Sequence, residues 1–464
     1  MACSAGAGDG DAPDGSALGA FAGNTSVAGA TSAGLGGSRS ESAGSANVGG
    51  TLGGTAAVSA GAAGTFAGVG SSSPGGAGSA GAAAGDGGSS AGSGPGNPVG
   101  DGFVHPGILV SRAMLDFVKA KVAAGAEPWK GALAKAQASN AGSLGYTPHA
   151  RKTVECGSFS NPDVGCSDEK NDCVAAYTHA LLWAYTGNEA HAKKAIQIMN
   201  AWSAVLEGHT NSNAPLQSAW VAETFPRAAE IIRHTYTGWP DAESERFGQM
   251  LDEVYRPMVE KGSPSNGNWE TSMIEATLNI AIFNDDRALF DAGLKMWRER
   301  TPAYVYVTSD GAKPVPPPRG NKSGAALLSY WYDQSTFVDG VSQETCRDLS
   351  HAQYGFAGIV NAAETARIQG VDLYGEHATR LQAMLEFHAK YLNGASVPAW
   401  LCGGSLTDNR ADPMWEIGFN HFAGRRAQAL PETQKLLNAI RPTGTDHHMA
   451  WETLTHAGLG AAGL

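Results

Sequence analysis

The stretch Gln343-Glu344-Thr345-Cys346-Arg347-Asp348-Leu349-Ser350-His351-Ala352-Gln353-Tyr354-Gly355 holds the residue types best suited to acid–base chemistry. Read as a helix, it places Arg347, His351 and Tyr354 at i, i+4 and i+7, along one face. Leu349, Phe356 and Val360 fall on the opposite side, so the helix turns an apolar back to the core and presents a guanidinium, an imidazole and a phenol together. A guanidinium fork matches a carboxylate in two places. Imidazole and phenol can take and give protons. This trio fits removal of a proton from the carbon beside a carboxylate, where Arg347, helped by the amide of Asn268, stabilises the developing enolate-like charge. A phenol titrates near pKa ~10, and a neighbouring Arg347 is expected to lower Tyr354 by favouring the phenolate.

Helical periodicity dominates the segments around this stripe. Residues 172–186 carry Val174, Tyr177, Leu181 and Tyr185 at helical spacing and stop at Gly187, a C-terminal cap. Segments 189–206, 215–236, 242–261, 268–283, 286–300, 346–369 and 372–393 also read as helices joined by short turns. Serial hairpins of this kind stack as a solenoid or close into a ring, and an all-α, incomplete (α/α) toroid is expected. The irregular insertion at 301–345 holds Tyr304, Tyr306, Tyr330, Trp331 and Tyr332, and is expected to present aromatic faces, Tyr332 among them, to sugars.

Residues 1–100 are nearly all Gly, Ala, Ser and Thr and read as a disordered tether, leaving 101–464 as one folded domain. The chain has 464 residues, 42% of them hydrophobic, and a formal charge of −12. An acidic excess argues against a nucleic-acid partner. No run reaches the roughly eighteen apolar residues of a membrane span. Cys3, just ahead of the tether, reads as a lipidated first residue of an exported protein, attached at the outer membrane or cell surface or else periplasmic. Met1 and Ala2 alone cannot form a signal peptide's apolar core. Among Cys156, Cys166, Cys173, Cys346 and Cys402, the close set suggests one local bridge, Cys156 to Cys166, and the odd count leaves a free thiol. No pair has the C-x-x-C spacing of a zinc site.

Four ordered blocks carry a family resemblance: Val154–Pro162 leading into Gly165–Glu169, Gly267–Ala276, Arg347–Tyr354 and Trp415–His421. From about Val154 to the C-terminus the chain resembles the alginate-lyase superfamily, most closely polysaccharide lyase family 38. The resemblance implies an α/α toroid, β-elimination on a uronate polymer, an anionic polysaccharide as partner, and no obligatory metal or cofactor. It also implies that Tyr354, seven residues after Arg347, is the catalytic tyrosine. Related enzymes use an Asn-His pair on an earlier helix. Here that block reads Asn268-Trp269, so either His351 takes over as base or Tyr354 serves as both base and acid. In mannuronate and glucuronate the C5 proton and O4 lie on the same side of the ring, which suits a single group. Gln217, Trp220, Trp269, Trp415 and His421 are expected substrate contacts, each weighed against ordinary packing.

Asp446-His447-His448 sits in a Pro/Gly-flanked turn and reads as a solvated loop rather than a metal site. Two other functions compete with the lyase. One is a glycoside hydrolase acting through a carboxylate pair drawn from Glu270, Glu275 and Glu344. The other is a non-catalytic, surface glycan-binding lipoprotein. A monomer is expected.

Overall fold

The computed structural model describes residues 102–464. The Gly/Ala/Ser segment, with Cys3, lies outside the described residues. The folded part opens with α1 (Arg112–Ala123) and α2 (Trp129–Ala138), followed by a short strand β1 (Thr153–Cys156) and β2 (Asp163–Val164). Helices α3 (Cys166–Thr186) and α4 (Glu189–Ser203) precede β3 (Gly208–Thr210), then α5 (Ala214–Thr235), α6 (Asp241–Met250), α7 (Arg256–Val259), α8 (Gly267–Phe283) and α9 (Arg287–Tyr304). The remainder comprises α10 (Gly324–Tyr330), α11 (Leu349–Ile368), α12 (Leu373–Glu376), α13 (Ala378–Leu392), α14 (Glu416–Phe419), α15 (Pro431–Ile440), a hairpin of β4 (Thr445–Asp446) and β5 (Met449–Ala450), and α16 (Glu452–His456). Strand β1 pairs antiparallel with β2 and parallel with β3.

The fold is an all-α ring. Helices α3, α5, α8 and α11 pack side by side in that order, and α14, α16 and α1 continue the neighbour chain back to α3. Helices α4 and α9 lie against α3 and α8 from outside. The sequence explains the layers. Along α5, α8 and α11 nearly every residue is buried, as for helices covered on both faces, whereas α4 and α9 bury one stripe and expose charged residues on the other side. Gly187, with φ 70°, ends α3 as its position in the pattern suggests.

Tyr304 locks α8 to α11. Its ring covers Gly267 and its hydroxyl covers Gly355, where added methyl groups would collide with it. Overpacking of this kind costs about 1–3 kcal/mol. Tyr304 also shows that α9 continues through Pro302 to residue 304 rather than ending at 300. The 301–345 insertion differs from expectation in a second way. Tyr304, Tyr306 and Trp331 are buried, and Tyr306 and Trp331 join Leu327, Val341, Tyr391 and Leu401 in a second apolar cluster. These rings form a small core instead of an open sugar platform.

The N-terminal strap is pinned by His105, whose Nδ1 lies 3.0 Å from Glu230 and whose Nε2 lies 3.1 Å from Asp285. Burial alone would lower the pKa of His105, but hydrogen bonds and charges from Glu230 and Asp285 outweigh it and raise the value. Burial would likewise raise Glu230, and contacts from His105 and His234 pull it down instead. A raised imidazole adds stability below its ordinary 6.5, lost as pH climbs through the folded value. A lowered carboxylate adds stability above its ordinary 4.5, lost as pH falls through the folded value. His105→Gln should therefore depress the melting temperature most at about pH 5–6 and progressively less in alkali. A deficit that is the same at every pH would contradict this ionic pin.

Candidate active site

The N-terminal ends of α3, α5, α8 and α11 converge on a cleft of about 760 Å³. Helix N-termini carry partial positive charge and free backbone amides, so the place where they converge favours an anion. Lys170, Trp220, Trp269, Arg347, His351 and Tyr354 line the cleft, and the β4–β5 hairpin adds His447.

Arg347 is fixed from behind. Its Nη1 donates to Glu344 Oε1 at 2.8 Å, and Glu344 is fully buried. Asn268 holds the same carboxylate, with its backbone N–H on Oε2 at 2.9 Å and its side-chain amide on Oε1 at 2.7 Å. The Tyr304 hydroxyl adds a fourth donor at 3.0 Å. Asn268 is itself fully buried, and its amide meets the Arg347 guanidinium on the same Glu344 oxygen, which ties the two side chains together. Arg347 also precedes the helix. Asp348 is the N-cap of α11, accepting from the His351 backbone N–H, and the guanidinium projects from the preceding turn. The adjacent Cys346–Cys402 disulfide staples that turn to the 402–404 segment.

His351 and Tyr354 do share the α11 face, with ring centres 5.8 Å apart. The Nδ1 of His351 contacts both Asp348 oxygens at 2.7 and 2.8 Å. Donation from Nδ1–H to that carboxylate leaves Nε2 as the acceptor on the cleft side. Tyr354 differs from expectation. Burial is the largest influence on its phenol and pushes the pKa up, with Asp446 adding to the rise. The cation expected to oppose this, Arg347, instead faces Tyr332, whose phenol burial also raises. Tyr354 therefore stays protonated at neutral pH, as a proton donor must.

Two cleft residues were missed in the sequence. Asp446-His447-His448 is no solvated loop: His448 is fully buried, and the His447 ring packs 5.0 Å from Tyr354 and 4.5 Å from Trp220. Burial lowers the pKa of His447 although Asp446, 2.5 Å from its Nδ1, opposes the change. Lys170 of α3 meets His447 Nε2 at 3.3 Å. An Asp-His pair in a short turn was the one visible signal.

Of the expected substrate contacts, Trp220 and Trp269 reach the cleft. Gln217 does not. It is fully buried and donates to the Cys166 carbonyl at 3.0 Å and to Glu169 at 2.7 Å, bracing the start of α3. Trp415 is also fully buried, donating to Gln353 at 3.0 Å. His421 stacks on Tyr374 at 3.7 Å, and burial brings its imidazole down to about 4. Tyr332 is absent from the cleft lining, its phenol lying within electrostatic reach of Arg347. The carboxylates considered for a hydrolase are likewise committed: Glu270 to Arg300 and Arg319, Glu275 to Arg227 and Asn361, and Glu344 to the Arg347 cluster. All three are fully buried. Cys156 pairs with Cys166, and Cys173 is a buried free thiol.

The alginate-lyase family model matches residues 167–397. Among solved structures, the chain is similar to alginate lyase A1-III from Sphingomonas species A1, at 17% identity and a TM-score of 0.52, over 74% of this chain and 94% of that one. A variant of alginate lyase A1-III complexed with tetrasaccharide is similar at 17% identity and a TM-score of 0.51, over 74% and 93%. An alginate lyase from Bacteroides ovatus is similar at 13% identity and a TM-score of 0.51, over 76% and 100%. At these identities the likeness establishes the shared fold. Among curated protein sequences, none matches.

Proposed function

We propose that the protein is a polysaccharide lyase that cleaves a β-1,4-linked polyuronate by β-elimination, a reading supported by the match of residues 167–397 to the alginate-lyase family model. The observation that carries this reading is the meeting of Arg347, His351 and Tyr354 in one cleft at the N-terminal ends of four helices. Arg347 binds the uronate carboxylate and stabilises charge as the C5 proton leaves. The Nε2 of His351 takes that proton, its tautomer set by Asp348. The electron pair forms the C4–C5 double bond, the C4–O4 bond breaks, and the Tyr354 phenol protonates O4. This division of labour takes the first of the two bases left open by the sequence, a choice supported by the burial that keeps the phenol protonated.

His351 and Tyr354 approach from one helical face, which suits a sugar whose C5 proton and O4 lie on the same side. The proposed substrates are therefore the mannuronate blocks of alginate, or glucuronan. The closer assignment to polysaccharide lyase family 38 rests on the four sequence blocks. Two disulfides support an oxidising compartment, and we read the protein as exported, with residues 1–100 a tether outside the chemistry and Cys3 its lipid attachment.

A panel of polymannuronate, polyguluronate, glucuronan and neutral mannan, followed by the ultraviolet absorbance of unsaturated ends, tests the substrate. Polymannuronate or glucuronan should be cleaved at least about tenfold faster than polyguluronate, since a misplaced proton acceptor forfeits most of the acid–base advantage. Fastest cleavage of polyguluronate would overturn the one-face geometry.

A further inference from the structure

Lys170 lies early in α3 and lines the cleft beside Trp220, with its ammonium 5.1 Å from the centre of that ring. Among the described residues it makes no ion pair; Asp163, Asp446 and Glu169 influence it only at longer range. Its close polar partner is the Nε2 of His447 at 3.3 Å. His447 donates from Nδ1 to Asp446, which leaves Nε2 free to accept from the ammonium. The hairpin that carries His447 is itself anchored. His448 Nε2 lies 3.3 Å from the Tyr354 carbonyl, and Arg227 donates to the His448 carbonyl at 2.7 Å.

This arrangement holds a long, flexible cation in place. An ammonium has three donors, and one neutral acceptor leaves the others unused. Partial burial of a cation is costly unless an anion meets it. Arg347 has Glu344 as its standing partner, so Lys170 is the cleft cation with unspent charge.

We propose that Lys170, held by the Asp446–His447 pair, is the carboxylate-binding group of a second sugar subsite floored by Trp220, and that it takes the uronate adjoining the one held at Arg347. This rests on the polyuronate reading of the cleft. Lys170 touches the substrate, whereas His447 is a positioning residue acting through Lys170.

The test is equilibrium binding to the full chain in a Tyr354→Phe background, so that ligand persists. The probes are a β-1,4-linked mannuronate tetrasaccharide and the neutral mannose tetrasaccharide. Lys170→Gln should weaken the acidic ligand about tenfold or more and reduce the salt dependence of binding, with the neutral ligand unchanged. Lys170→Arg should restore most of the affinity. His447→Gln should weaken the acidic ligand less, and adding it to Lys170→Gln should cost little more.

Unchanged acidic-ligand affinity in folded Lys170→Gln, or an equal loss for the neutral ligand, overturns the subsite. Simple additivity of the two substitutions overturns the positioning role. If the parent leaves no unsaturated ends on polyuronate yet shows the charge-specific loss, the subsite stands and the lyase reading falls. If the parent does not bind the acidic tetrasaccharide, both fall.

Discussion

Tyr354→Phe should lower kcat by about a hundredfold or more, because a positioned general acid typically supplies about 10²–10⁴ in rate. The Michaelis constant and melting temperature should change little. The substitution removes one hydroxyl and keeps the ring that packs against Trp220 and His447. The phenol is suited to donation because burial holds it protonated, and the lost step is delivery of a proton to the departing O4. If the ring only braced α11, removing the hydroxyl would leave the rate nearly intact. A variant retaining more than about a tenth of parental turnover would end the assignment.

His351→Gln should be at least as damaging, again by about a hundredfold or more in kcat, since glutamine cannot accept a proton. The helix should survive. Asp348 caps α11 through the backbone N–H of residue 351, a bond that any side chain there preserves. The pair of variants separates the two bases left open by the sequence. If His351→Gln keeps most of the rate while Tyr354→Phe loses it, the tyrosine works alone as base and acid. If both are folded and inactive, and the double variant is no worse than either, the two groups act in one step.

The ring of helices was readable because α3, α5, α8 and α11 are long and strongly patterned, and because short turns between them restrict how they pack. The face shared by His351 and Tyr354 was readable for the same reason: it depends only on helical spacing. Arg347 was misplaced by one element, because the sequence pattern could not weigh Asp348 as a cap against Asp348 as a helical residue. Gln217, Trp415 and His421 were expected at the substrate, yet all three are committed to packing: Gln217 against the start of α3, Trp415 against Gln353, and His421 against Tyr374. A matching block marks a shared fold as readily as a shared contact.

His447 was out of reach for a different reason. Its meaning comes from contacts with Lys170 and Tyr354, remote in sequence, and a local reading of a Pro/Gly-flanked turn sees only the turn. Long-range closure also hid the Cys346–Cys402 bridge, whose partners are 56 residues apart, while Cys156 and Cys166, separated by 10, were close enough to suggest each other. The expected effect of Arg347 on Tyr354 failed on geometry: helical proximity was anticipated, but Glu344 and Tyr332 occupy the guanidinium's surroundings.

The claim of elimination is tested most directly by the chemistry of the ends produced when the full chain acts on polymannuronate. The products should carry a C4–C5 double bond, visible in the ultraviolet, and their masses should add up to that of the polymer without added water. Saturated fragments, each cut having taken up one water, would contradict the account, as would tight binding of the polymer with no cut at all.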